Sequence, residues 1–304
     1  MSALPVVLDL DGSVGSLASE YRFAMRDQQE ALRFGCSLGR MRALERQLNT
    51  WLPPPALHGP VFMGSGDFHH LSWLLVARCI RAQGSTRGRL RVVVLDNHPD
   101  NMRFPFGVHC GSWVRRVAQL PEVEHVLVAG ITSGDIGWRH SWENQLSPLR
   151  AGKLSYWSFG VETGWARWLG VASAFRNFPS AQALADALSE HLHRQRRPTY
   201  LSIDKDVFAP SVVRTNWDQG LLLETQSTQV IDALQGQLVG SDVTGEVSAY
   251  RYRSAWKRWL SAGDGQDMDI AREQLTRWQT KQHLLNLRLL ARLGRARSNH
   301  DLTH

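Results

Sequence analysis

The chain has 304 residues, 43% hydrophobic and 21% charged, ordinary proportions for a soluble globular protein of one large domain or two small ones, with a sizeable core available. A formal charge of +7 allows an anionic partner, but arginine is spread along the whole chain and thickens only in RLLARLGRARSNH near the end, so nucleic acid is not expected as a partner. Three cysteines at wide spacing, Cys36, Cys79 and Cys110, exclude both a disulfide framework and a zinc finger and point to a reducing cytoplasm. The first residues carry no positive region followed by a long apolar stretch, and no window has the roughly 18 uninterrupted apolar residues of a membrane span, so a soluble, unprocessed protein is expected.

In chain order, the first apolar run is VVLDL at 6–10, a candidate buried strand. The proline-rich LNTWLPPPALHGP that follows further on reads as a loop. VFM at 61–63 is the second strand, and an amphipathic pattern over 69–83 the first helix. VVVLD at 92–96, a short helix over 111–119 and VLVAG at 126–130 come next; the tryptophan-rich 138–168 reads as loop. Ser180 is placed to cap a helix in which Leu184, Leu188 and Leu192 repeat every fourth residue on one face. TYLSID at 199–204, a helix over 225–236, LVGSD at 238–242 and a helical stretch over 268–293 complete the series, with a solvated basic tail beyond. Strands alternating with helices predict right-handed crossovers and a mostly parallel sheet covered on both faces, in a single domain spanning 1–304 whose basic C-terminal helix and tail occupy about 268–304.

Two of these strands end in acid. Asp96, His98 and Asp100 alternate in VVVLDNHPD, and Asp204 and Asp206 alternate in YLSIDKDVF. A strand sends residues i and i+2 to the same face, and ligands of open α/β sheets gather at the carboxyl ends of strands. Carboxylates brought together there repel and raise each other's pKa unless a cation neutralises them, which a divalent metal does. Lys205, lying between the two aspartates, is sent to the opposite face, toward solvent or a carboxylate.

These motifs resemble those of the ureohydrolases, the family of arginases and agmatinases. DNHPD is similar to the family's DAHxD segment and SIDKDVFAPSVV to its SxDxDxxDP segment, in the same order and about a hundred residues apart. GSGDFHHLSWLL resembles the GGDHS segment and VHCGSWVRRV the agmatinase HGTxFRRA segment. The resemblance is nearer to agmatinase-like members than to true arginases. It implies a three-layer α/β/α fold around an eight-stranded sheet and two Mn²⁺ ions bridged by hydroxide. The implied ligands are His69, Asp96, His98, Asp100, Asp204 and Asp206, with His70 as the alternative to His69. Zinc, iron or nickel also suits this donor set by ligand type.

The resemblance further implies a reaction, hydrolysis of a C–N bond in a guanidino or amidino compound with release of urea or a related amide. Asp100 would relay a proton to the leaving nitrogen, and His109 would act as a titrating shuttle at the pocket rim. Glu246 would pair with the substrate guanidinium, with Asp242 as fallback. The loop NMRFPFGV lacks the residues that hold an α-amino acid head group, and Ala209-Pro210 and RTNWDQG depart from the family pattern, so the pocket mouth is rebuilt. Arg103, Phe104, Phe106 and Trp217 are candidates to line that mouth, suiting an apolar or anionic tail. Two other readings stand beside this one: a zinc-dependent deacetylase-like amidohydrolase, and a noncatalytic protein on the same scaffold. The partner expected is a small guanidino or amide substrate; relatives' habits add a possible homo-oligomer, and no membrane is expected.

Overall fold

The computed structural model describes residues 3–84, 89–263 and 270–298. Eleven strands form in chain order: β1 Val6–Asp9, β2 Tyr21–Ala24, β3 Gly35–Cys36, β4 Val61–Phe62, β5 Leu90–Leu95, β6 Val108–His109, β7 Val123–Ile131, β8 Leu154–Phe159, β9 Phe175–Phe178, β10 Thr199–Asp204 and β11 Leu238–Thr244. Nine of them build one parallel sheet in the order β2-β1-β4-β11-β10-β5-β7-β8-β9, while β3 and β6 form a separate antiparallel pair. All six apolar runs picked out in the sequence lie in this sheet, and each is buried over nearly its whole length, as a sheet covered on both faces requires.

Alternation along the strands divides the core in two. Val92, Val94, Val126, Val128, Tyr156 and Tyr200 face one layer of helices, and Val93, Leu95, Leu127, Trp157, Leu201 and Ile203 face the other. Ser180 caps the helix Ala181–Arg194 through its Oγ, which accepts from the Ala183 amide at 3.2 Å, and Leu184, Leu188 and Leu192 are buried on the second face. Leu188→Ala is therefore expected to cost about 2–5 kcal/mol, read from a urea or thermal unfolding curve.

Three strands of the sheet were not foreseen, and the sheet has nine strands where eight were implied. β8 lies inside the tryptophan-rich stretch read as loop. Its aromatics are core: Tyr156 faces one layer and packs edge-on against Phe175 with ring centroids 5.2 Å apart, while Trp157 and Phe159 face the other, where Trp157 packs at 5.2 Å against Phe178. Phe175 and Phe178 begin and end β9, the additional edge strand, and so clamp it to β8 from both sides. The helix Leu38–Trp51, capped by Ser37, also escaped notice and takes up the beginning of the proline-rich segment.

The basic end differs from a solvated tail. The helix Arg272–Ser298 packs Leu285, Leu289 and Leu293 into the second core layer. Arg288 donates to Glu224 at 2.6 and 2.8 Å, Arg292 pairs with Asp232 at 3.0 Å, and Arg297 donates to the carbonyls of Pro55 and His58. Positions 268–269 and 299–304 of the expected helix and tail lie outside the described residues. Among the described residues no helix is long and apolar enough to cross a membrane.

Candidate metal centre

β5 and β10 are neighbours, paired in parallel register with Ile203 beside Leu95, so the chain leaves both strands at one place. Asp96 and Asp204 follow there side by side. Local hydrogen bonds then fold each motif back on itself. The His98 amide donates to Asp96 Oδ1 at 2.6 Å and the Asp206 amide to Asp204 Oδ1 at 3.1 Å. The Asn97 amide ties the two motifs together by donating to Asp206 Oδ1 at 3.1 Å. No side chain fits at Gly245, where φ is +87° and a Cβ would stand 2.3 Å from Asp204 Oδ1.

His69 enters from the turn Gly66–Leu71 that precedes the helix Ser72–Gln83. Its Nδ1 lies 2.9 Å from Asp100 Oδ2, 3.2 Å from Asp96 Oδ2 and 3.4 Å from Asp204 Oδ2. On the ring's other side Nε2 is 2.9 Å from Ser202 Oγ, which donates to Asp242 Oδ1 at 2.8 Å. A serine hydroxyl committed to a carboxylate accepts from the imidazole, which assigns a proton to Nε2 and leaves Nδ1 facing the aspartates. Asp242 itself accepts from Ser72 and Tyr200 as well, at 3.0 and 2.7 Å.

His98 is held from both ends. Nδ1 lies 2.9 Å from Asp206 Oδ2 and 3.6 Å from Asp96 Oδ1, and Nε2 lies 2.6 Å from Asp218 Oδ1. Two groups of donor atoms therefore meet, His69–Asp96–Asp204 and Asp96–His98–Asp206, each with its atoms within 4.8 Å of one another and both containing Asp96. Asp100 adjoins the first group. It adopts φ +46°, a conformation costly outside glycine, asparagine and aspartate, and the Trp113 indole donates to its Oδ2 at 2.6 Å.

The electrostatics are those of anions crowded in a buried place. Burial and then the charge of Asp96 lift the Asp100 carboxyl to about 7, and the same two causes lift Asp206 to about 7. Burial and the charge of Asp206 hold Asp204 well above the usual carboxylate range. For His69 burial opposes the imidazolium, but hydrogen bonds to Asp100 and Asp96 prevail and its pKa stands well above the ordinary value. His98 behaves alike, burial being outweighed by Asp206. Two imidazoliums and shared protons thus carry the positive charge that four carboxylates demand.

These residues floor a cavity of about 550 Å³ whose upper wall carries Asp135, His140, Glu143, Asn144, Trp217 and Asp218. Of the residues singled out in the sequence, His69, Asp96, His98, Asp100, Asp204, Asp206 and His109 all line it. His70 does not. It is buried beside Cys36, its Nε2 4.0 Å from the sulfur, and burial depresses its pKa well below the ordinary imidazole value.

Three expectations need correction. His109 is buried, not at the rim; Phe34 and Phe104 flank its ring and burial lowers its pKa to about 4, so near neutral pH it is an uncharged wall of the cavity. Glu246 is outside the cavity lining: its Oε1 is 2.5 Å from the wholly buried Lys205 Nζ and accepts from Asn286 Nδ2 at 2.5 Å. Of the proposed mouth residues only Trp217 lines the cavity, with acidic neighbours where an apolar or anionic-binding mouth was expected. Lys205 does meet a carboxylate on the far face. Ser202 was detectable, standing two residues before Asp204 on the same strand face; Asp218 had no local signal, because only the folded turn brings it to His98.

No protein-family profile matches the chain. An uncharacterized protein of Thermotoga maritima is 24% identical over 204 residues, 67% of this chain and 63% of that one, so the match spans less than two thirds of the relative's length. Among solved structures, proclavaminate amidino hydrolase of Streptomyces clavuligerus superposes with a TM-score of 0.52 at 17% identity, over 97% of this chain and 93% of that one. Agmatine ureohydrolase of Thermoplasma volcanium gives 0.54 at 12% identity, over 100% and 92%. Formimidoylglutamase of Bacillus subtilis gives 0.51 at 11% identity, over 97% and 87%. The chain has the α/β fold of the ureohydrolases, agmatinase-like structures prominent among its neighbours. At these identities the likeness is one of fold, and the reaction has to be argued from the site.

Proposed function

We propose that this chain is a metal-dependent hydrolase of carbon–nitrogen bonds other than peptide bonds, acting on a small amidino, guanidino or amide compound. One observation carries the reading: two donor groups, joined through Asp96, face an open cavity at the carboxyl ends of adjacent parallel strands. The residues fit a pair of divalent cations. Asp96 is 1% exposed and its Oδ2, though 3.2 Å from His69 Nδ1, accepts no hydrogen bond of good geometry, a buried anion that a cation would complete. His69, Asp96, Asp100 and Asp204 would hold one ion and Asp96, His98 and Asp206 the other; oxygen donors with two imidazoles suit Mn²⁺, with Zn²⁺, Fe²⁺ or Ni²⁺ as alternatives. When bound, such ions lower the pKa of a water toward neutrality and supply a nucleophile.

The chain's own groups supply the rest. Trp113 fixes one oxygen of Asp100 and leaves Oδ1 to take up a proton and pass it to the departing nitrogen. Ser202 and Asp218 set the rotation of His69 and His98, so each presents Nδ1. The buried, uncharged His109 shapes the wall.

The test is purification of the full chain with Mn²⁺, a count of bound metal by mass spectrometry, and a screen of guanidino, formimino and acetylated amines for urea, formamide and acetate. Two ions per chain with one of these products released is the expected outcome. A single zinc would favour a deacetylase-like site, and two bound ions with no product would overturn the hydrolase reading.

A further inference from the structure

A buried indole N–H as a rule finds an acceptor. Trp113 donates to Asp100 Oδ2 at 2.6 Å and Trp165 to the Ile136 carbonyl at 2.9 Å. Trp217 does not: its Nε1 is buried and has no hydrogen-bond partner, although the residue lines the cavity. Packing fixes the ring in this position. It lies nearly parallel to Phe34 with centroids 6.1 Å apart, and edge-to-face with His98 at the same separation. The turn that carries it is pinned on both sides. Asn216 Oδ1 accepts from the Ser248 amide at 2.8 Å, and Asn97 Nδ2 donates to the Asp218 carbonyl at 3.2 Å.

The nitrogen edge of the indole faces the floor. A Cβ on Gly66 would stand 3.2 Å from Trp217 Cδ1, 3.4 Å from its Nε1 and 3.1 Å from Asp204 Oδ2, so glycine at this position leaves a corner between the indole and a carboxylate of the metal centre. A rigid donor is worth most to an atom that gains negative charge during a reaction, because no reorganisation is needed at that moment. In the hydrolysis proposed above that atom is an oxygen on the attacked carbon. Urea, formamide and a carboxylate all carry it as an acceptor, whichever amine departs. Resting on the hydrolase reading, we propose that Trp217 is a catalytic residue whose indole N–H donates a hydrogen bond to this oxygen. The water oxygen forms the bond to carbon, and the C–N bond breaks with its electron pair on nitrogen. Both protons of the water end on that nitrogen, the indole keeps its own, and nothing is oxidised or reduced.

Trp217→Phe keeps a packing ring and removes the donor. With the compound that the screen above identifies, kcat is expected to fall at least about tenfold while KM changes less than about threefold, the mark of a contact made in the transition state. Phe34→Leu, which loosens the ring but keeps the N–H, is the control and should lower kcat less than about threefold. Two readouts are independent of turnover and use acetate as the acceptor on the Zn²⁺-loaded chain. In the ¹H–¹⁵N spectrum of the twelve tryptophans, the indole resonance missing from Trp217→Phe should move downfield as acetate is added to the parent. By calorimetry the Kd for acetate should rise at least about tenfold in Trp217→Phe. If no indole resonance moves in the parent, whether or not the variant folds, the inference is overturned and the hydrolase reading stands. Unchanged kcat and acetate affinity in Trp217→Phe have the same meaning, as does an equal loss in Phe34→Leu, which packing alone would explain. No product from a chain holding two ions overturns the hydrolase reading and this role of Trp217 with it.

Discussion

Asp96→Asn is expected to bring the metal content of the purified protein from the proposed two ions to less than one per chain and to reduce the proposed turnover by at least about a thousandfold. The magnitude follows from the geometry. Asp96 is the one residue common to both donor groups, so an amide there removes an anion from each at once. Its Oδ1 also accepts the His98 amide, which an amide nitrogen in that position would not. Ser202→Ala is the informative companion. It keeps all six donors but frees His69 Nε2, and the expected result is metal affinity lower by about 10- to 100-fold with the ligands still in place. An Asp96→Asn protein that still carries two ions would show that the groups do not share it.

The metal-free protein is expected to lose stability as pH rises through about 7, with its Tm falling by at least about 5 °C between pH 7 and 8.5. Asp100 and Asp206 rise from an ordinary 3.8 to about 7 in the folded chain, and Asp204, His69 and His98 are also raised. Each such group binds its proton more tightly folded than unfolded. Its contribution is complete below the unfolded pKa, near 4 for the carboxyls and 6.5 for the imidazoles, and is lost as pH climbs past the folded value. Asp96, whose pKa is lowered against the effect of burial by its contacts with His69 and His98, acts in the opposite sense in the acid range below the usual carboxylate value, and His58, His70, His109 and His125, whose pKa burial lowers, do so as pH rises to about 6.5, below that interval. Added Mn²⁺ replaces those protons, so the gain in Tm on metal addition should grow from pH 5.5 to 8. A metal-free Tm that rises between about pH 7 and 8.5 would contradict the crowding of charges described above.

How much of this was legible before folding depended on how local the signal was. The acidic motifs were readable because each is a compact local pattern at the end of an apolar run, although Asp96, His98 and Asp206 lie just beyond β5 and β10, where hydrogen bonds within the turns, not strand alternation, bring them together. The six buried strands announced themselves through β-branched runs. β8 did not, because its serines and aromatics give no such run, and Tyr156 and Trp157 reveal their role only once Phe175 and Phe178 lie beside them. The pairing of Lys205 with Glu246 joins positions far apart in sequence, on adjoining strand ends, so the family pattern around Glu246 pointed to a substrate contact that the fold assigns to the chain's own ammonium. Asp135, Glu143 and Asp218 lie in loops whose composition carries no sign of a shared cavity.

The helix Arg272–Ser298 emerges from the ribosome after every strand of the sheet, yet it closes the back of the site. Asn286 completes the partners of Lys205 and Glu246, and Gln282 donates to the carbonyls of Arg214 and Gly245 at 2.6 and 3.0 Å. During synthesis the sheet can assemble first, while a lysine and a glutamate still lack a lid over their ion pair. The centre is then finished by a helix that follows the sheet, and a nascent chain has the outline of the sheet before the back of the site is closed.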